Sequence, residues 1–419
     1  MKLYDFQRAA LDATASRQRV AYYLDMGLGK TFVGAEKAIQ LHNNILVVCQ
    51  KSKVTDWCNH FARNYDCSVY NMTEKSAKKH IVKTASDTSA VTVRVINYDL
   101  IWRRADADFL RCSGLTLLLD ESSCIQNETS KRTKFIMSIR CSNVILLSGT
   151  PCNGKYENLW TQCRLLGWNI NKADFWTRYI RYFETDKNGY PVRIVIGYKN
   201  VEELKDNLRK YGAVFMQTKE VFSLPEQVII DTHVAGTADY RAFMRDKIVT
   251  LDRNIQLVGD TPLTALLYAR QLSAAYNGNK YTALADLIES TTGRLVIFYN
   301  FNEELRRLKE ICQKAGRKIS EVNGHKKDTA AFDTTDDSVM LVQYQSGAMG
   351  LNLQAANKVI FFSPPLSAEL YAQAFKRIHR IGQARTCFYY RLIADGIEEK
   401  IYKTLEKRED YTLQLFVQN

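Results

Sequence analysis

The sequence predicts an α/β fold arranged as two domains. Three observations carry this. Apolar runs of strand length alternate with helix-compatible stretches. Most of these runs end in a polar cluster. The chain of 419 residues is long enough for two domains of ordinary size, each with its own core. Strands apolar on both faces and separated by helices belong to parallel sheets covered on both sides. Ligands of such sheets bind beyond the carboxyl ends of the strands, so chemistry is sought there.

Lys2–Leu11 holds Leu3, Tyr4, Phe6 and Gln7. The Gln7 amide donates and accepts side by side, as reading an adenine edge requires; a surface glutamine is the plainer alternative. Val20–Leu24 is an apolar strand that runs into Asp25–Thr31, DMGLGKT. Gly27 and Gly29, with Leu28 between them, let backbone N–H groups close on an anion. Lys30 adds a point charge, and Thr31 offers a hydroxyl to Mg²⁺. Val33, Ala35, Ala38 and Ile39 mark a following helix whose N-terminus faces the phosphates. The strict phosphate-loop pattern has a glycine where Leu24 stands, so a simple Gly-rich turn remains the alternative.

Four more apolar runs follow. Ile45–Cys49 leads into Gln50-Lys51-Ser52-Lys53, and Val91–Ile96 into Asn97-Tyr98. Leu115–Leu119 leads into Asp120-Glu121, and Val144–Leu147 into Ser148-Gly149-Thr150-Pro151. Acidic residues closing a buried strand are costly unless a metal or partner compensates. Asp120 can hold Mg²⁺, and Glu121 can orient or deprotonate an attacking water; a helix-capping acidic pair is the bland reading. From Asn153 to about Phe215 aromatic residues are dense (Tyr156, Trp160, Trp168, Phe175, Trp176, Tyr179, Tyr182, Phe183). This predicts a mostly helical insertion with a hairpin near Asn188-Gly189. A packed core suits these aromatics better than base stacking does.

Gln217–Gln227 is the expected crossing between domains, giving 1–220 and 221–419, with helical insertions at about 153–215 and 237–280. Within the second, Thr237–Ala275 predicts helices. Sheet runs then return at Leu295–Tyr299, Val339–Val342, Val359–Phe362 and Cys387–Leu392. In Gln343–Leu353, Gly347 and Gly350 allow backbone to approach a ligand or a strand of nucleic acid. Leu370–Gln383 reads as a helix: Leu370, Ala374, Ile378 and Ile381 form an apolar stripe, flanked by Gln373, Arg377 and Arg380. A forked guanidinium clamps phosphate oxygens; a solvated basic face is the alternative. The segment from Ile397 is an amphipathic helix with pairs such as Glu399–Lys403.

Composition sets bounds. Hydrophobic content of 46% and charged content of 25% fit a soluble globular protein. No apolar run reaches transmembrane length and the N-terminus has no signal-peptide pattern, so neither a membrane nor secretion is expected. Ten cysteines without a C-x-x-C pair predict reduced core thiols, and six dispersed histidines predict no structural metal. The net charge of +13 favours a polyanionic partner.

Taken in chain order, Gln7, GLGKT, the Lys51-Ser52 loop, Asn97-Tyr98, LLLDES, LSGTP, VIFYNF, GAMGLNLQAAN and QAFKRIHRIGQ resemble the SWI/SNF-type ATPases of helicase superfamily 2. The likeness runs from Leu3 to about Lys407, and the compact size is similar to viral or bacterial members. It implies two RecA-like lobes facing each other across ATP. Gln7 would contact adenine. Gly27, Leu28, Gly29, Lys30, Thr31 and Gly350 would hold the nucleotide, with Mg²⁺ on Thr31 and Asp120. Glu121 would activate water, and Arg377 and Arg380 would act as arginine fingers. Lys51, Ser52, Tyr98 and Asn352 would contact a DNA strand. The implied activity is ATP-dependent translocation on double-stranded DNA by a monomer in the cytoplasm, on a nucleoid or in a virus-infected cell. A strand-separating DNA or RNA helicase and a DNA-binding scaffold with a vestigial ATP site are the alternatives. The chain departs from the family at Ser123, where a histidine is usual, at Gln217-Thr218-Lys219, where arginine usually precedes the lysine, and at Pro365-Leu366-Ser367 in place of Trp-Asn-Pro.

Overall fold

A computed structural model describes residues 3–41, 44–74, 91–103, 114–187, 190–251, 255–347 and 351–414. The chain forms two compact units, the first running to Phe222 and the second Ser223–Glu409, with the residues from Asp410 grouped with the first.

The first unit contains β1 (Arg19–Leu24), β2 (Asn44–Cys49), β3 (Ser68–Asn71), β4 (Thr92–Asn97), β5 (Thr116–Asp120), β6 (Asn143–Leu147), β7 (Ile180–Lys187), β8 (Tyr190–Tyr198) and β9 (Ala213–Met216). Seven of them form one sheet in the order β3-β4-β2-β5-β6-β1-β9. All its pairs are parallel. β1 shows why the apolar runs do not alternate with polar residues. Val20, Tyr22 and Leu24 enter one core, with Val33, Ala35 and Ala38 of the helix Lys30–Leu41. Ala21 and Tyr23 enter another on the opposite face. The helix lies close on the sheet: a Cβ at Gly34 would come within 2.7 Å of Leu147 Cδ1.

The second unit contains β10 (Gln227–Val234), β11 (Ile248–Leu251), β12 (Ile255–Val258), β13 (Leu295–Tyr299), β14 (Lys318–Val322), β15 (Lys327–Asp328), β16 (Ser338–Gln343), β17 (Lys358–Phe361) and β18 (Cys387–Ala394). Its seven-stranded sheet has the order β10-β18-β17-β13-β16-β14-β15. It is parallel except for the short β14–β15 pair. Each unit is therefore the doubly covered, mainly parallel sheet expected of a RecA-like lobe. Among the described residues, no helix is long and apolar enough to cross a membrane.

Three expectations need correcting. The region 153–215 is not mostly helical. The hairpin expected near Asn188-Gly189 is present as β7 and β8, but its strands are long, and β9 joins the main sheet beside β1. The residues of the hairpin are too mixed in polarity for its length to show as a clean period of two. Tyr156, Trp168, Phe175 and Tyr179 are buried in the core, as the packing reading had it. In the second unit β11 and β12 form another hairpin between helices Ala238–Asp246 and Pro262–Ser273. Finally, the helix expected over Leu370–Gln383 spans Ala368–Phe375 only, so Arg377 and Arg380 lie beyond it.

Candidate nucleotide site and arginine segment

The first unit gathers its polar groups at the carboxyl ends of β1, β5 and β6. β1 ends at Leu24 and the helix starts at Lys30, so Asp25–Gly29 is the whole connection. Gly27 and Gly29 have φ of 89° and 71°, a backbone that side chains rarely adopt. Gly29 also has no room for one: a Cβ there would meet Gln7 Nε2 at 2.4 Å. Gln7 is almost fully buried. Its Nε2 donates to Leu28 O at 3.0 Å and its Oε1 accepts from Tyr4 N at 3.0 Å. The structure thus places Gln7 against the glycine loop. Lys30 Nζ donates to Leu24 O at 3.1 Å and Asp25 O at 3.3 Å. Asp25 Oδ2 accepts from Thr218 Oγ1 at 3.0 Å, which braces the loop from beyond β9.

Asp120 closes β5. Its Oδ2 accepts from the indole Nε1 of buried Trp57 at 2.8 Å. Burial pushes the Asp120 carboxyl above its usual range, against the Trp57 hydrogen bond and the nearby Lys30 and Lys53 charges. A half-buried carboxylate near a lysine suits a divalent cation, which offsets the desolvation cost. Glu121 has φ 52° and ψ 63°, left-handed for a residue that is not glycine. Such backbone strain persists only where the surroundings over-determine it. Tyr98 supplies part of that. It is buried, and its hydroxyl donates to Asp120 O at 2.9 Å. Tyr98 therefore sits beneath the acidic pair, away from the surface that a strand contact requires.

The Ser148–Pro151 turn completes the pocket. A Cβ at Gly149 would lie 3.2 Å from Lys30 Nζ and 3.3 Å from Met26 Cγ, so the turn backs the lysine directly. Ser148 Oγ accepts from Thr150 N at 3.1 Å. Thr150 Oγ1 is buried with no hydrogen-bond partner among the described residues, the condition of a group awaiting a ligand or water. A left-handed glycine loop, a lysine on backbone carbonyls, a half-buried aspartate and an orphaned hydroxyl fit a nucleotide phosphate with Mg²⁺. Thr31 begins the helix beside Lys30 and is half-buried.

Lys51 and Ser52 are exposed in a single 3₁₀ turn that directly follows β2. In the second unit Asn352 is exposed between buried Leu351 and Leu353. Gly350 lies outside the described residues.

The arginine segment is a compact turn rather than a helix. Arg377 N donates to Ala374 O at 3.2 Å, and Leu353 N donates to Arg377 O at 3.3 Å. The side chain of Gln383 replaces further helical bonds. Its Nε2 donates to Gln354 O at 3.0 Å and Ala356 O at 2.8 Å, and Gly382 turns the chain at φ 96°. Arg377 and Arg380 are half-buried, and burial lowers the Arg380 guanidinium below its usual value. His379 bonds Pro225 O at 2.8 Å, which ties the segment to the start of the unit. Possible metal donors also meet in this unit at His233, Asp395 and Glu399. Here His233 Nδ1 lies 3.8 Å from Glu399 Oε1, the spacing of a surface ion pair.

Sequence reasoning missed Trp57, Thr218, Gln162 and Gln383. The first two announce themselves only by a buried polar atom that must find a partner. Gln383 was seen as a helix end, and Gln162 gave no signal at all.

Comparison with known proteins finds two domain families along the chain. Residues 23–255 match the SNF2-related domain and residues 279–382 the helicase conserved C-terminal domain. A mouse SWI/SNF-related matrix-associated actin-dependent regulator of chromatin, subfamily A member 1, is 24% identical over 91% of this chain and 40% of its own length. The Bacillus subtilis putative ATP-dependent helicase/translocase YwqA is 25% identical over 72% of this chain and 35% of its own. The chain thus spans about two fifths of the length of such relatives. The Sulfolobus solfataricus SWI2/SNF2 ATPase core, solved in complex with dsDNA, aligns with 98% of this chain and 92% of that one at 18% identity and a TM-score of 0.45.

Proposed function

The chain belongs to the SNF2-related family, and from that premise we propose that it is an ATP-driven translocase on double-stranded DNA. The observation that carries the reading is the pocket of the first unit. There the glycine loop, Lys30, the Asp120-Glu121 pair and the Ser148–Pro151 turn occupy neighbouring strand ends.

The roles follow from the chemistry of each group. Gln7 holds the loop and the adenine end of ATP. Gly27, Leu28, Gly29, Lys30 and Gly350 hold the nucleotide, and Thr31 and Asp120 take Mg²⁺. An ion held there would neutralise phosphate charge. Glu121 orients and deprotonates the attacking water. Arg377 and Arg380 reach the transferring phosphoryl group from the second unit, which makes hydrolysis depend on closure of the two. Closure and reopening then ratchet a DNA backbone held by Lys51, Ser52 and Asn352. The excess of basic residues, +13 overall, suits a phosphate track.

The test is ATP hydrolysis with duplex DNA, single-stranded DNA or RNA added, and Lys30→Ala as control. Duplex DNA is expected to stimulate most, without strand separation, and Lys30→Ala to abolish turnover. Stimulation by RNA alone, or unwinding of a forked duplex, points to a strand-separating helicase and overturns the duplex-tracking reading. No hydrolysis under any condition points to a DNA-binding scaffold.

A further inference from the structure

Glu121 sits one residue after β5 in a left-handed backbone conformation. That conformation is strained for a residue other than glycine and must be held by its neighbours. Tyr98 holds it from one side, with its hydroxyl 2.9 Å from Asp120 O and 3.4 Å from Glu121 O. Ser122 holds it from the other. Ser122 is fully buried, and its Oγ donates to Gln162 Oε1 at 2.8 Å.

Gln162 lies in the helix Trp160–Leu165 and is itself fully buried. Its Oε1 also accepts from Tyr23 OH at 3.0 Å, and its Nε2 donates to Pro151 O at 2.7 Å. One amide therefore touches three segments: β1 one residue before its end, the residue after Glu121, and the residue after Thr150. The preceding side chain in the helix adds a second tie, since Thr161 Oγ1 donates to Ile125 O at 2.9 Å. Glutamine suits the position because its amide accepts and donates side by side. A glutamate lacks the donor for Pro151, and a leucine lacks both functions. The turn that Gln162 grips is the one that backs Lys30, 3.2 Å from a Cβ at Gly149.

We propose that Gln162 is a positioning residue for water activation. It fixes the Asp120–Ser122 segment against the Ser148–Pro151 turn, so that a shift in either moves the other. This deepens the proposed ATPase reading and rests on Glu121 as the group that activates water.

The experiment measures kcat and KM for ATP, with nucleotide binding read separately, in Gln162→Leu, Ser122→Ala, Ser122→Thr and Glu121→Gln. Misplacement of a reacting group by about 1 Å can cost on the order of a hundredfold. Gln162→Leu and Ser122→Ala are expected to lower kcat by roughly tenfold to a hundredfold. KM and nucleotide affinity should change much less than kcat, because the glycine loop and Lys30 keep their own bonds to Gln7 and to the carbonyls of Leu24 and Asp25. Ser122→Thr keeps the hydroxyl and should recover most of the rate. If Gln162→Leu fails to fold, the Ser122→Ala and Ser122→Thr pair decides alone. Glu121→Gln separates the two ideas. Near wild-type turnover in it sinks the assignment of Glu121 itself. Dead Glu121→Gln beside near wild-type Ser122→Ala leaves Gln162 a packing residue and overturns the proposal.

Discussion

The two units have similar sheets and use their strand ends in opposite ways. In the first, the carboxyl ends of β1, β5 and β6 present groups held mainly by backbone carbonyls and single side chains. Lys30 rests on Leu24 O and Asp25 O, and Asp120 on Trp57. In the second, the same region is filled by its own polar groups. Asn300 Nδ2 donates to Ser363 O at 3.1 Å, Ser363 Oγ at 2.9 Å and Pro364 O at 3.0 Å. Arg270 adds a bond to Pro364 O at 3.1 Å. Glu304 Oε2 accepts from Asn300 N at 2.9 Å, Phe301 N at 3.2 Å and Ser363 Oγ at 3.1 Å. Polar residues at the end of a buried strand are therefore not by themselves a site. What matters is whether the fold has already consumed their hydrogen bonds.

One substitution repeated in both units breaks the comparison at its strongest point. Gly29→Ala puts a Cβ 2.4 Å from Gln7 Nε2 at φ 71°, and Gly382→Ala puts one 3.0 Å from Gln354 Nε2 at φ 96°. Both are strained, but only the first lies in the phosphate loop. Equilibrium binding of ATP should weaken by on the order of tenfold or more in Gly29→Ala, about 1.4 kcal/mol per factor of ten. Gly382→Ala should bind ATP normally and hydrolyse it more slowly. Equal loss of binding in both would erase the distinction.

A pH titration probes the second unit by itself. Burial pushes the Glu304 carboxyl up to about 7 from 4.5, against the donors Asn300 N, Phe301 N and Ser363 Oγ and the charge of Lys280. Its Oε1 is buried without a hydrogen-bond partner among the described residues. The folded pKa is raised, so the stability it contributes is complete below the unfolded value and is lost as pH rises through the folded one. Chemical denaturation should therefore show the protein losing on the order of 3 kcal/mol from this group between about pH 4.5 and 7. Glu398, raised by burial beside Lys280, titrates in the same sense. Glu304→Gln should remove the Glu304 share of the slope. An unchanged slope in that variant would show that the carboxyl is not held neutral by burial.

Much of the architecture was legible in the sequence because strands buried on both faces are written as unbroken apolar runs. β1, β2, β4, β5, β6, β13, β16, β17 and β18 all follow such runs. β10 was not legible: it is a sheet edge with Ile229 50% exposed and polar residues interleaved, and it reads as a linker. β9 is apolar but only four residues long, and β14 is short and partly polar. The phosphate loop and the acidic pair were legible because glycines and carboxylates at strand ends are locally conspicuous. Trp57 and Gln162 were not, since their roles depend on partners 63 and 40 positions away. The end of the arginine helix was misread because an apolar stripe at helical spacing also fits a turn. Ile378 stays buried while Gln383 Nε2 bonds Ile378 O, one carbonyl that a continued helix would have bonded.

The central claim is that one unit binds ATP and the other supplies the guanidinium groups that hydrolysis requires. It is tested most directly by duplex-stimulated turnover and ATP affinity measured together in Arg377→Ala and Arg380→Ala. The account predicts ATP binding close to wild type and turnover lower by roughly a thousandfold. Near wild-type turnover in both variants would contradict it.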